Sequence, residues 1–139
     1  MIFYCRQVLF AAVMLMVSVT LSAQQHPSDQ EKQQPSEQEL AMAQRIYQAQ
    51  VSGSDTDFYE AHVTFMNYLE EHEDWEKYYR AWMNRVIYEV NNKRFHRAFI
   101  EINYLTDDIR ERHLEQYLYI SNMCLGFLYN GRNQPEMDD

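Results

Sequence analysis

The chain has 139 residues, enough for one domain, and a formal net charge of −9 that argues against nucleic acid or an anionic membrane surface as a partner. It contains three glycines, three prolines and no alternating β-branched runs, which predicts an all-α protein. Eleven tyrosines are interpreted as packing residues between helices, and the alternative is an aromatic platform for a ligand.

Residues 1–23 have the pattern of a signal peptide. Arg6 precedes the apolar core Val8–Val19, and Ser22–Ala23 supply small residues for cleavage. The core is shorter than the about 20 residues of a membrane span, and an uncleaved anchor is the alternative. Only Cys124 would remain after cleavage, so no disulfide could form within the chain. These features predict an exported protein in the periplasm of a Gram-negative bacterium.

Two amphipathic helices are predicted after a polar stretch. Ser36 and Glu39 form a capping box for the first helix, which Gly53 ends. Asp55 or Thr56 is expected to cap the second. Their apolar stripes are Leu40, Ala43, Ile46, Tyr47 and Val51, then Phe58, Ala61, Phe65, Tyr68 and Leu69.

Residues 74–105 predict a helical hairpin. Asp74 is a good N-cap for its first helix, and a polar break at Asn91–Lys93 separates the two helices. The apolar residues recur at steps of three and four, and one hairpin cannot bury this seam alone. They are Trp75, Tyr78, Tyr79, Trp82, Val86 and Val90, then Phe95, Ala98, Phe99, Ile102 and Leu105.

A last helix is predicted from about His113 to Tyr129. Thr106–Asp108 before it mark either a break or an extension of the preceding helix, and Asn130–Gly131 are expected to end it. The sequence stops at Asp139, where the partner helix of a further hairpin would begin, so we expect a C-terminally incomplete array.

The hairpin resembles a tetratricopeptide repeat in its spacing of aromatic and small residues. The matching positions are Ala81, Trp82, Asn84, Tyr88, Phe95 and Ala98. The family has a small residue where this chain has Val86, and a turn glycine where it has Lys93. Phe58–Ala61 repeats the pattern of Phe95–Ala98, and Leu125–Gly126 resembles part of another first helix. The resemblance implies antiparallel hairpins stacked as a short α-solenoid of about two and a half irregular units.

No residue pattern indicates catalysis. Residues 70–74 (EEHED) are the candidate metal cluster, but adjacent side chains on a helix diverge, so a solvated helix end is the preferred interpretation. His62, His96 and His113 lie on separate predicted helices and are expected at the surface or at edges. Cys124 is interpreted as a small buried hydrophobe, with a reactive thiol as the alternative. We predict no catalytic residue, no cofactor and no metal.

The arginines near the second half of the hairpin are interpreted as solvated ion pairs. Arg94, Arg97, Arg110 and Arg112 form a modest basic rim, and Arg97 can pair with Glu101 at i,i+4.

The resemblance also implies an inner face suited to a partner. Methionine and isoleucine side chains there would form a groove for an apolar helix or peptide, unless the next helix of a longer array covers them. The predicted interaction face consists of Arg80, Met83 and Ile87 on the first helix of the hairpin and Ile120, Met123 and Phe127 on the last helix.

The chain therefore divides into a signal peptide at 1–23, a disordered linker at 24–35 and helical repeats at 36–139. The stretch Phe58–Met137 resembles the periplasmic repeat region of Bacteroidetes-type membrane sensor histidine kinases. This resemblance implies the non-catalytic sensory part of a two-component sensor, with protein or peptide partners and with membrane and kinase segments beyond Asp139. The alternative is a free-standing exported scaffold that self-associates as a homo-oligomer.

Overall fold

The computed structural model describes residues 34–134, and contacts divide this part of the chain into two units, 34–58 and 59–134. Regular structure in residues 34–134 consists of helices packed consecutively, which confirms the predicted all-α, repeat-like class. The predicted signal peptide and most of the linker lie outside the described residues. The helices are α1 (Glu37–Ser52), α2 (Asp55–Glu71), α3 (Trp75–Asn91), α4 (Phe95–Glu111), a 3-10 turn (Glu115–Tyr117) and α5 (Leu118–Arg132).

In the described part of the first unit, both ends of α1 follow the sequence prediction. The Ser36 side chain accepts a hydrogen bond from the backbone N–H of Glu39 at 3.1 Å. Gly53 takes a left-handed conformation at the other end, with φ +73°. The cap of α2 differs from the prediction: Ser54, not Asp55, accepts the backbone N–H of Asp57 through its side chain. Within residues 34–134, none of the helices is both long and apolar enough to cross a bilayer.

Three similar loops join the helices of the second unit. Each loop has a residue with positive φ, and these residues recur every 20 positions at Glu73, Lys93 and His113. In the middle loop the Lys93 N–H bonds to the carbonyl of Val90, and the next N–H reaches back to Glu89, as in a Schellman motif. Non-glycine residues therefore serve at the turn where the repeat family has glycine. Asp74 caps α3, as predicted.

The period of the loops makes the repeating unit a 40-residue pair of helices. Helices α2, α3 and α4 each have 17 residues and are followed by three-residue loops. Four of the six buried positions of α2 recur in α4 at the same spacing, as 58/98, 62/102, 65/105 and 69/109. This unit is longer than the about 34 residues of a tetratricopeptide repeat. Phe99, which the sequence placed in the apolar stripe, is instead 47% exposed.

The end of the chain departs from the predicted boundaries. Residues 106–108 extend α4, and α5 begins at Leu118 and continues through Asn130–Gly131 to Arg132. Gly131 lies against the hairpin, since a β-carbon built there would be 2.3 Å from Val90 Cγ1. Glycine is thus needed at this position for the close approach of α5 to α3, and it does not end the helix.

Candidate interaction surface

A row of partly exposed apolar side chains runs along α3 and α5. Tyr119, Met123 and Phe127 recur at steps of four on α5, so they share one side of that helix, and each is 40–42% exposed. Met83 and Ile87 on α3 are half-buried, as is Arg80 at the end of the row. We call these six residues the α3–α5 strip.

Five of the six residues predicted for the interaction face lie in this strip, and one does not. Ile120 is fully buried and belongs to the core between the helices, together with Cys124 and Leu128. The buried residues of α5 are Ile120, Ser121, Cys124 and Leu128. Ile120 therefore lies on the side of α5 that faces the core, whereas the preceding residue, Tyr119, lies on the exposed side with Met123 and Phe127.

Polar contacts join the α3 residues and the α5 residues at one end of the strip. The Arg80 guanidinium donates to Glu76 Oε1 at 3.2 Å and to the Tyr119 hydroxyl at 3.4 Å. Tyr119 also reaches Glu76 Oε1 at 3.5 Å. These contacts place α5 directly beside α3, and the charge at this end is internally balanced. The rest of the strip is apolar. It therefore suits an apolar ligand and sets no requirement on the net charge of that ligand.

Two titratable side chains, those of His62 and Cys124, are buried in the core. His62 was expected at a surface or edge, and this prediction is wrong: it is fully buried, and its Nε2–H donates to the carbonyl oxygen of Ala81 at 2.6 Å. Burial, together with the nearby Arg85, lowers the pKa of His62 to about 4, against the opposing effect of the hydrogen bond to the Ala81 carbonyl. Burial raises the pKa of the Cys124 thiol to about 12, so the thiolate that a reactive cysteine needs is not formed near neutral pH.

Arg112 holds together three helices at the end of the unit opposite the Lys93 loop. Its guanidinium donates to Glu70 on α2 at 2.6 Å and to Asp108 on α4 at 3.1 Å. It also lies 4.6 Å from the ring centroid of Trp75 on α3. Asp108 accepts a further hydrogen bond from the Tyr79 hydroxyl at 2.9 Å. Arg112 therefore stabilises the packing of the three helices. This role is larger than that of the solvated ion pair that the sequence predicted for it.

The structure also corrects two further predictions about the arginines and their ion pairs. Glu101 pairs with Arg85 on α3 at 2.7 Å, and not with Arg97. Arg94 pairs at 2.6 Å with Glu89, a fully buried carboxylate. A buried carboxylate requires such a partner. The only signal in the sequence for the burial of Glu89 was its position among the apolar residues at the end of α3.

The described residues offer no centre for metal chemistry. Residues 34–134 contain no group of three or more histidine, cysteine, aspartate or glutamate side chains placed to hold a metal ion. Comparisons with family models, characterised proteins and solved structures found no significant match. The α3–α5 strip is therefore the best candidate for a functional site.

Proposed function

We propose that this protein is an exported, non-catalytic interaction module of tetratricopeptide-like hairpins, which binds an apolar segment of a partner protein along the α3–α5 strip. The observation that carries the proposal is the exposure of Tyr119, Met123 and Phe127 along one side of α5. The Arg80–Tyr119 hydrogen bond joins this side of α5 to the α3 residues of the strip, half-buried Met83 and Ile87. Exposed apolar side chains that lie together are typical of protein interaction sites, whereas single ones are ordinary surface.

The dimensions of the strip indicate the kind of segment it would accept. From Tyr119 to Phe127 is eight residues of helix, or about 12 Å at 1.5 Å per residue. This length matches about two turns of a partner helix that presents apolar residues at i, i+4 and i+8. Methionine side chains adapt to different apolar shapes, so Met83 and Met123 favour a ligand defined by pattern and not by one sequence.

The finer proposal is that the module is the sensory part of a two-component sensor kinase. It is supported by the resemblance of Phe58–Met137 to periplasmic sensor repeats and by the helical-hairpin repeat of the second unit. The alternative proposal is a free-standing exported scaffold that uses the same strip to self-associate. Blotting of fractionated native cells separates them: a large membrane-bound product supports the sensor, and a soluble periplasmic product near 16.8 kDa or slightly smaller supports the scaffold.

The interaction itself is tested by photo-crosslinking in native cells. A photoreactive amino acid replaces Met123, and the matched control carries it at Gln44, an exposed position on α1 outside the strip. We expect a discrete adduct from position 123 that is absent from position 44. Mass spectrometry of the adduct then distinguishes a different protein from a second copy of this chain.

A second variant ties the adduct to the strip. Ile87→Asp places a charge on the opposite row, on α3, and should abolish the adduct at position 123 because a carboxylate would be desolvated by an apolar ligand. Circular dichroism confirms that the variant is folded. An adduct that also forms from position 44, or that persists in the folded Ile87→Asp variant, would refute the proposed binding site.

A further inference from the structure

A second, separate face lies along α2 and α4. An open groove of about 440 Å³ is lined by Tyr59 from α2 and by Arg97, Ile100 and Glu101 from α4. Helical spacing places Val63 one turn after Tyr59 and Tyr104 one turn after Ile100. Val63 is 47% exposed, Ile100 38% and Tyr104 62%, so the apolar surface continues beyond the groove.

The contacts show that α2 and α4 run side by side along this face. Tyr59 and Ile100 meet at the groove near the start of both helices, and Glu70 bonds to Arg112 at their other ends. From Tyr59 to Glu70 is about 16 Å of helix. A face of this length extends beyond the four residues that line the groove, which favours a polypeptide ligand over a small molecule.

The floor of the groove is fixed by contacts to α3. Glu101 accepts hydrogen bonds from Trp82 Nε1 at 2.9 Å and from Arg85 at 2.7 Å. The Arg85 guanidinium also lies 5.7 Å from the ring centroid of Tyr59, and Tyr88 packs edge-on against that ring. Tyr59 and Glu101 are therefore held in place before any ligand arrives, which lowers the entropic cost of binding.

Arg97 gives this face its charge preference. Its i,i+4 neighbour Glu101 is turned towards Arg85 and Trp82, and within residues 34–134 no hydrogen bond or ion pair engages the exposed Arg97 guanidinium. A cation at the edge of an apolar groove selects a carboxylate placed next to an apolar side chain.

We propose that the α2–α4 face, defined by Tyr59, Val63, Arg97, Ile100 and Tyr104, binds an acidic amphipathic helix of a second protein. Its apolar residues pack on Tyr59, Ile100 and Tyr104, and one of its carboxylates pairs with Arg97. This face is distinct from the α3–α5 strip, so the module engages two partners or two parts of one partner.

The test uses two designed peptides that share an apolar row and differ only in carrying glutamate or lysine on the polar face. Each is about 14 residues, long enough to cover the face as a helix. Binding to the full ¹⁵N-labelled chain is followed by amide chemical shifts in buffer near 0.15 M salt, where charges beyond about 8 Å are screened. We expect shifts along α2 and α4, and roughly fivefold tighter binding of the glutamate peptide.

Charge reversal on the protein makes the test specific. Arg97→Glu should invert the peptide preference, whereas Arg110→Glu, the same change at another exposed site on α4, should leave it unchanged. Ile87→Asp on the α3–α5 strip should also leave it unchanged, which separates this proposal from the proposed function. The proposal is overturned if neither peptide binds, if the lysine peptide binds the native chain equally well, or if the shifts map to α3 and α5. Concentration-dependent shifts of α2 and α4 without peptide would overturn it in favour of a second copy of the chain.

Discussion

Protonation of His62 should make the stability of this protein strongly dependent on pH. The imidazole is fully buried, and its Nε2–H donates to the Ala81 carbonyl on α3. A proton on His62 would place a charge in the core near the Arg85 guanidinium, which repels it. The folded chain therefore keeps His62 neutral, whereas the unfolded chain protonates it once the pH falls below its ordinary value.

The magnitude follows from the pKa difference between the two states. The pKa of His62 is about 4 in the folded chain, against an ordinary value of 6.5 for an exposed histidine, and the unfolded state binds more protons between these values. Stability from this group is complete above pH 6.5 and is lost as the pH falls towards 4. At 1.36 kcal/mol per pKa unit, we expect a loss of about 3 kcal/mol between pH 7 and pH 4.

The effect of His62 is isolated by comparison with His62→Ile. Isoleucine occupies the equivalent position in α4, at Ile102, so it fits this kind of site. Urea unfolding of both proteins is followed by circular dichroism from pH 7 to pH 4, and the difference in their free energies of unfolding is plotted against pH. Other titrating groups cancel in that difference. A difference that stays constant across this range would refute the argument.

Three further outcomes follow from contacts in the second unit. Gly131→Ala should lower the free energy of unfolding by about 1–3 kcal/mol because the added methyl group would overlap a side chain of α3. Gly126 has open space around it, so Gly126→Ala should raise the free energy of unfolding by about 0.5–1 kcal/mol. Arg94→Ala should cost about 3–5 kcal/mol in urea unfolding because it leaves buried Glu89 without its ion pair, and a cost below 1 kcal/mol would contradict this. Cys124 should react with a thiol reagent at pH 8 only at the rate of unfolding, and fast labelling of the folded protein would contradict its burial.

The helices were predictable because their signals are local. Ser36, Gly53 and Asp74 each act within one turn of their own helix, and the structure uses all three as helix boundaries. The apolar period of 3.6 similarly identified the buried sides of α2 to α4. The 3-10 turn at Glu115–Tyr117 had no such signal, since its residues suit a helix as well as a turn.

The polar core was harder to predict, because residue type and spacing do not show what lies across the helix interface. His62 in α2 and Ile102 in α4 occupy equivalent positions, and both are buried. A histidine can take the place of an isoleucine here because its ring finds the Ala81 carbonyl on α3. This contact joins residues 19 positions apart, and the apolar pattern of a single helix contains no information about it.

The pairing of Glu101 shows why the spacing of charges within one helix did not predict its partner. Spacing offered Arg97, an exposed partner whose i,i+4 pair would contribute only about 0.3–0.5 kcal/mol. Across the interface, Arg85 and Trp82 both donate to the same carboxylate at 2.7–2.9 Å in a half-buried setting, where such bonds are stronger. The tertiary contacts are therefore the stronger ones, and they bear on the proposed α2–α4 face. Because Glu101 turns inwards, Arg97 is left at the edge of an apolar groove, able to bind a carboxylate from another molecule.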